Sequence, residues 1–293
     1  MTVADGRPRP GDRVARWHAA AYGLNLTGGI CLLGLSRHGA PATVGLPQVE
    51  LELVGAIASR GAAQAVVAGT PGGLMIESLP AGGYRMSGPG VGCAEIEQDA
   101  MRVLIEPPRE DGWLWNRWVL GQVLPFVAAL HGRELLHAGG VVVGDEAVAI
   151  LGPSGRGKST LVGALVQAGA SFMADDVTAI ESRPPHVLAH PGPGVLVLDE
   201  PRFLAPGGAR PLSTICGLQI GERLRVETLT EPEPVALLSN VYERVRRDPG
   251  RLAGQLSLLS ELAAGARFIR IQRGADTQPD QLAGRLLEHL AAG

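Results

Sequence analysis

Residues 152–159 read Gly-Pro-Ser-Gly-Arg-Gly-Lys-Ser, and this octapeptide constrains the fold more than any other part of the chain. It matches the phosphate-binding P-loop pattern G-x-x-x-x-G-K-[ST] at every fixed position. An apolar run of strand type, residues 147–151, precedes it, and a helical pattern closed by Gly169 follows. A strand, a glycine loop and a helix N-terminus together form an anion-binding arrangement. The sequence therefore predicts an α/β domain built around this loop.

Each residue type in the loop has a physical task. Its glycines permit a tight turn that brings backbone N–H groups close to phosphate oxygens. Lys158 supplies a point charge to the β- and γ-phosphates, and the Ser159 hydroxyl is a ligand for Mg²⁺. The alternative is a chance match in a glycine-rich chain, against which the flanking strand and helix argue. The predicted nucleotide-binding residues are Gly152, Pro153, Ser154, Gly155, Arg156, Gly157, Lys158, Ser159 and Thr160.

A pair of aspartates follows one helix and one short apolar segment after the loop. Asp175 and Asp176 come directly after Ser171–Ala174. An acidic residue at the end of a strand beside a P-loop is where an aspartate holds Mg²⁺ in such enzymes. With two adjacent carboxylates, one can hold the metal while the other accepts a proton from an attacking hydroxyl. The alternative is a polar turn after a strand, which the nearby loop makes less favoured.

His137 stands before the small residues Ala138, Gly139 and Gly140 at the start of an apolar strand. A histidine in this place can orient or proton-couple an aspartate carboxylate. A lone histidine is also compatible with a structural position in a core or at an edge. The spacing alone leaves both interpretations open.

The stretch from His137 to Ile180 resembles the catalytic core of HPr kinase/phosphorylase and its relatives. The elements that carry the resemblance are His137 with its small-residue strand, the loop at 152–159, and Ala174-Asp175-Asp176-Val177, in that order. It implies that Asp175 is the general base toward a serine hydroxyl and that His137 interacts with that carboxylate. It also implies that Asp176 and Ser159 serve Mg²⁺ and that Lys158 binds ATP phosphates.

The resemblance covers about 45 residues well. The chain departs from the family in two places: the glycine-rich segment with an Mg²⁺-binding glutamate, and the C-terminal loop linked to the reverse phosphorylase reaction. Glu181 and the pair Asp199-Glu200 are candidate replacements for that acid. The chain therefore resembles divergent HPr-kinase-like proteins, some of which phosphorylate a serine of a precursor peptide. Family members form hexamers, which suggests a homo-oligomer.

The chain changes character near residue 110. Short β-type segments alternate with Gly and Pro up to that point, with Asp99 marking a hairpin turn. The predicted domains are a β-rich N-terminal domain (1–110), a connecting helix (111–134) and a P-loop catalytic domain (135–293). The predicted fold class is α/β, α+β overall, with a core of the HPr kinase and PEP carboxykinase type.

Within these domains, the patterns predict a helix over 113–130, with Pro125 as a kink, and two strands over 135–151. A strand is predicted over 171–180, and long Pro- and Gly-rich loops over 183–211. In the C-terminal part, helices are predicted near 233–247, 251–264 and 278–291, with a strand at 268–271.

Composition excludes several classes of protein. The net charge of −3 gives no reason to propose a nucleic-acid partner. No stretch reaches the length of a membrane span. The three cysteines are far apart in sequence, which favours free thiols in a reducing compartment, and a cytoplasmic location is therefore expected.

Three remaining groups favour structural roles: Trp113, Trp115 and Trp118 as a packing face, His186 and His190 outside any zinc site, and Arg244, Arg246 and Arg247 as a solvated helix face.

Three functions remain open from the sequence. The first is an ATP- and Mg²⁺-dependent kinase acting on a serine-type hydroxyl of a peptide or small protein. The second is a kinase for a small hydroxyl metabolite, such as an amino acid or a sugar. The third is a nucleotide-binding regulatory module, against which the Asp175–Asp176 pair and His137 argue because a pure binder needs no base.

Overall fold

The computed structural model describes residues 12–35, 45–57, 65–69, 73–108, 113–197, 201–204, 206–230 and 249–292. The described residues up to Gly132 form one compact unit, and those from Arg133 onward form a second. The described residues form a mixed α/β structure with sheets of eight, nine and two strands and few helices. Among the described residues, no helix is both long and apolar enough to cross a membrane.

The first unit is built on one sheet whose strand order is β1-β2-β3-β8-β7-β6-β5-β4. Strands β7 and β8 are antiparallel, and the Met101 N–H donates to the Asp99 carboxylate at 2.9 Å in the turn between them, which confirms the predicted hairpin. The eight strands are β1 (Arg13–Ala21), β2 (Leu24–Ile30), β3 (Gln48–Leu53), β4 (Ala65–Gly69), β5 (Met75–Ser78), β6 (Tyr84–Gly88), β7 (Gly92–Ile96) and β8 (Arg102–Glu106).

The helical segment of the first unit is interrupted. Helix α1 (Trp113–Trp118) continues through a π-helical turn (Val119–Val123) into α2 (Leu124–Leu130). Pro125 has no N–H to donate to the preceding turn, and the wider π register stands directly before it. The predicted irregularity at this proline is therefore a change of helical register. Trp115 and Trp118 are buried.

The described part of the second unit holds the larger sheet, three helices and the short ladder β15–β16. Its helices are α3 (Lys158–Gln167), α4 (Pro249–Gly265) and α5 (Pro279–Ala291). Its strands are β9 (Glu134–Leu136), β10 (Ala138–Val143), β11 (Glu146–Leu151), β12 (Ser171–Ala174), β13 (Thr178–Arg183), β14 (His186–His190), β15 (Val195–Val197), β16 (Pro201–Phe203), β17 (Arg210–Ile220), β18 (Arg225–Thr228) and β19 (Arg267–Arg273).

Three parallel strands, in the order β11, β17, β19, form the centre of this sheet. Both faces are covered, because one buried cluster joins the sheet to Leu258 and Leu262 of α4 and the other joins it to Leu161 of α3 and Leu282 of α5. A central strand covered on both sides has a continuous apolar sequence, which is what β11 shows. The loop at 152–157 leaves β11 at the carboxyl edge of these strands.

Several sequence predictions are confirmed here and others are wrong. Helices α4 and α5 and strand β19 match the predicted segments. The single strand predicted over 171–180 is two strands, β12 and β13, and the two strands predicted over 135–151 are three. The loops predicted over 183–211 are wrong, because β14, β15, β16 and the start of β17 lie there and the prolines and glycines only separate them. The helix predicted near 233–247 lies outside the described residues.

Candidate functional site

Two breaks in the strands lie opposite each other and bring the predicted site residues together. His137 is the one residue between β9 and β10, and Asp175–Val177 separates β12 from β13. Strand β10 pairs with β12 and β9 pairs with β13, so ladders hold both breaks on either side. The Thr178 hydroxyl donates to the Ala138 carbonyl at 3.0 Å and ties the two breaks to each other. The backbone therefore fixes His137 beside the aspartates.

The small residues after His137 are needed for close approach. A Cβ atom at Gly139 would lie 2.7 Å from a methyl carbon of Val162 on α3 and 3.0 Å from the Asp175 carbonyl oxygen. Both distances are too short for ordinary van der Waals contact. Glycine at this position thus lets the helix that follows the loop and the aspartate pair pack against the same strand.

The loop itself ends at the first turn of α3. Gly157 is the residue before the helix, and its φ of 93° lies in the left-handed region that favours glycine. The first helical bond runs from the Leu161 N–H to the Gly157 carbonyl at 2.9 Å. The N–H groups of the preceding residues of the turn have no partner in the helical ladder and face the N-terminal side. The segment 153–156 is exposed, as is Thr160, while Gly152 is buried and Ser159 partly so.

Lys158 is buried and its ammonium group is held by neutral acceptors. Nζ donates to the Gly152 carbonyl at 2.8 Å and to the Pro153 carbonyl at 3.4 Å, and it lies 3.1 Å from His137 Nε2. No carboxylate of a described residue lies within salt-bridge distance of it. Burial lowers the pKa of Lys158, and the charges of Asp176 and then Asp175 partly offset this.

His137 links the lysine to one of the two aspartates. Because an ammonium group only donates, His137 Nε2 accepts and the ring proton belongs on Nδ1. Nδ1 lies 3.1 Å from the Asp176 carbonyl oxygen and 3.3 Å from its carboxylate Oδ1. We name Lys158, His137 and Asp176 the loop cluster. The resemblance predicts Asp175 as the partner of His137, whereas the contacts in the structure join His137 to Asp176.

The two aspartates differ in exposure. Asp175 is 8% exposed as a residue, while the Asp176 side chain is 52% exposed. The buried carboxylate is sheltered from water, and the exposed one is accessible to a hydrated ion. This asymmetry fits two different tasks for the two groups.

The residues fit Mg²⁺ brought by a nucleotide better than a metal held by protein alone. Among the described residues, no cluster of three or more His, Cys, Asp or Glu could hold a metal ion. Mg²⁺ is commonly held through one or two carboxylates together with substrate phosphates and water. Asp176 and the Ser159 hydroxyl would be its protein ligands here.

A second charged group lies in the same unit. Glu181 accepts from Arg133 Nη1 at 2.6 Å and from Arg183 Nε at 2.9 Å, and its Oε1 lies 3.1 Å from His190 Nε2. We name these four residues the buried cluster; Arg183 is its one exposed member. Burial raises the pKa of Glu181, but the bond from Arg183 and the charges of Arg133 and His190 outweigh it, so the pKa lies below its ordinary value.

The buried cluster accounts for two residues that the sequence left with other roles. Glu181, a candidate metal ligand, has its carboxylate occupied by these neighbours. Burial lowers the pKa of His190, and this histidine is on strand β14 with the exposed His186. Residues four apart on a strand are about 13 Å apart, too far to share an ion. Asp199, Glu200 and the arginines 244, 246 and 247 lie outside the described residues.

Sequence reasoning missed Arg273, the last residue of β19. A Cβ atom at Gly157 would lie 3.7 Å from its Cζ and Nη2 atoms, so the guanidinium borders the loop. The available signal is the alternation of Ile269, Ile271 and Arg273, which puts the arginine on the same face as two core residues. Cys31, Cys93 and Cys216 are thiols that form no disulfide, as predicted.

Comparisons with known proteins do not identify a family for this chain. No protein-family model matches the sequence, and no curated protein matches it. Among solved structures, the chain is similar to the Hpr(Ser) kinase/phosphatase from Coxiella burnetii, with 14% identity over 54% of this chain and 97% of that chain and a TM-score of 0.35. A TM-score this low does not establish a shared fold.

Proposed function

We propose that the second unit is an ATP- and Mg²⁺-dependent phosphotransferase of the HPr-kinase-like type that acts on a serine-type hydroxyl of a peptide or small protein. One observation carries the proposal: the loop lysine, His137 and Asp176 are joined by contacts of 3.1 to 3.3 Å at the N-terminus of α3. These residues come from three separate stretches of the chain. A structural role alone gives no reason for a buried lysine to be held by neutral groups at the end of a helix.

In this proposal the chain supplies binding, orientation and a proton acceptor. Lys158 exchanges its carbonyl acceptors for phosphate oxygens and, with the loop N–H groups, neutralises charge on the transferring group. The acceptor oxygen forms a bond to the γ-phosphorus while the bond from that phosphorus to the leaving oxygen of ADP breaks. The hydroxyl proton passes to the Asp175 carboxylate. Asp176 and Ser159 would hold Mg²⁺, which would supply further positive charge toward the phosphates.

His137 is a positioning residue in this proposal. Its neutral ring accepts from Lys158 and donates to Asp176, so it holds the cation and the metal-binding carboxylate in a fixed relation. Substitution of His137 therefore acts through its two neighbours rather than through a proton taken from the acceptor.

The experiment offers acceptors side by side with ATP and Mg²⁺. Serine-containing peptides, free serine and simple sugars are incubated with the full chain, and phosphate mass shifts are read by mass spectrometry. We expect a mass shift on a peptide, and a fall of about 10²- to 10⁴-fold in rate for Asp175→Asn with ATP affinity retained. Asp176→Asn is the matched comparison, expected to weaken the Mg²⁺ dependence instead.

Other outcomes correct the proposal at defined points. A mass shift on a free metabolite alone replaces the peptide acceptor with a small one. Tight ATP binding without ADP release or any mass shift supports the regulatory module. Wild-type rates in Asp175→Asn would remove the base assignment.

A further inference from the structure

Arg273 stands at the end of a column of core residues. Side chains alternate between the faces of β19, so Ile269, Ile271 and Arg273 share one face. The two isoleucines belong to the apolar core that includes Leu161 of α3, whereas Phe268 belongs to the apolar core on the α4 side. The arginine therefore lies on the α3 face. It is the residue at which that face reaches the carboxyl edge of the parallel strands.

The position of Arg273 is fixed at both its backbone and its side chain. Its carbonyl accepts from the Gly221 N–H at 2.9 Å. A Cβ atom at Gly157 would lie 3.7 Å from Cζ and Nη2 and 3.8 Å from Nε of the guanidinium. Nε is shielded from solvent and has no hydrogen-bond partner among the described residues. The guanidinium is thus held against the residue that precedes α3.

A cation at this place is electrostatically unfavourable without an anion. The N-terminus of a helix carries about half a positive charge, and cations are stabilised at the other end. Lys158 adds a further positive charge at the first position of the same helix. Arg273 borders the residue before this helix and Lys158 is its first residue, so the partial positive charge of the N-terminus is unfavourable for both cations. A bound anion would be attracted by both cations and by the helix N-terminus.

We propose that Arg273 is a phosphate-contacting residue that binds the β- and γ-phosphates of the nucleotide together with the loop. This inference rests on the proposed function. A guanidinium presents a planar fork of donors that matches phosphate oxygens, and such charge-assisted bonds are among the stronger ones in proteins. The shielded Nε is the donor in need of an acceptor. Arg273 thereby extends the site from the loop to the end of a strand 116 residues further along, the difference between positions 273 and 157.

The test measures ATP and AMP affinity by titration calorimetry in the presence of Mg²⁺. For Arg273→Gln we expect ATP affinity to fall roughly 10- to 100-fold, while AMP affinity stays the same because AMP lacks both outer phosphates. Arg273→Lys should fall less, because it keeps the charge but loses the fork. The matched control is Arg270→Gln, since Arg270 lies on the opposite face and its partner is Glu227 at 3.1 Å; its ATP affinity should equal that of the wild type.

The outcomes separate this inference from the proposal beneath it. If ATP binding depends on Lys158 but is unchanged in Arg273→Gln, the role of Arg273 is overturned and the proposed function is not. Equal losses for ATP and AMP also overturn it, because they indicate structural damage. Wild-type protein that binds no ATP overturns both. If Arg273→Gln does not fold, Arg273→Lys decides: ATP affinity equal to the wild type contradicts the fork contact.

Discussion

The loop cluster and the buried cluster are made of similar groups, but only in the buried cluster is a cation paired with a carboxylate. Each contains a cation, a histidine and a carboxylate, and each depends on the strand pair β9–β13 for its geometry. In the buried cluster both carboxylate oxygens of Glu181 are paired with an arginine, at 2.6 and 2.9 Å. In the loop cluster the lysine is held by two carbonyls and a neutral ring. In the first, the buried arginine has a carboxylate as its counter-charge. In the second, the cation is held by neutral groups, which a phosphate can displace.

This difference distinguishes a structural cluster from a candidate site better than burial does. Buried polar groups are common wherever their partners are satisfied. What marks the loop cluster is a buried cation with weak acceptors at a helix N-terminus, where a second cation, Arg273, borders Gly157. We therefore expect substitutions in the buried cluster to change stability and those in the loop cluster to change ligand binding.

The largest expected effect is on the free energy of unfolding of Glu181→Gln. The substitution removes the negative charge that lies 2.6 Å from the buried Arg133, which is expected to destabilise the fold by about 3–5 kcal/mol. Urea unfolding followed by circular dichroism measures this. The control is Glu288→Gln, whose Arg285 partner is largely exposed, with an expected change below about 1 kcal/mol. Equal changes in the free energy of unfolding of the two variants would contradict a stabilising role for the buried cluster.

The next effect concerns Lys158→Ala. We expect ATP affinity and any phosphoryl transfer to fall by about 10²- to 10³-fold, because a positioned positive charge is lost. The unfolding transition should move less than that of Glu181→Gln, since the lysine bonds two carbonyls and a ring. Calorimetry and the same urea series measure both quantities, with Arg285→Ala as an exposed cation control. If the variant bound ATP with wild-type affinity but unfolded at a lower urea concentration, the loop cluster would have a structural role instead.

The smallest effect is a pH dependence carried by His190. Burial lowers its pKa against the pull of Glu181, so the unfolded chain takes up a proton first as the pH falls below about 6.5. Stability contributed by the neutral ring is then lost from that pH downward. Between about pH 7 and 5, we expect His190→Gln to lose less stability than the wild type does, with a difference on the order of 1 kcal/mol. Urea unfolding at a series of pH values measures this, and parallel curves for the two proteins would contradict it.

The sequence predicts the parts of this site that depend on local pattern. The loop, the helix after it and the aspartate pair follow from residue types at fixed spacing. The pairing of Glu181 with its charged neighbours does not follow from local pattern. Its neighbours come from the residue before β9 and from β13 and β14, and no local spacing indicates how those strands pair; these neighbours are Arg133, Arg183 and His190. Arg273 is hidden for the same reason, since its distance from Gly157 depends on a ladder between β17 and β19.

Chain length, too, is tightly constrained around His137. This residue alone joins two strands that are each fixed in a ladder, and only three residues join β12 to β13 opposite it. A strand shifted by one residue turns every side chain to the other face. Both faces of β10 are buried, with Val142 in the apolar cluster on the α4 side and Val141 in the one on the α3 side. An inserted residue at His137 would therefore move each of these side chains into the opposite cluster. Variation in loop length among related chains should accordingly be absent from this point and concentrated elsewhere in the second unit.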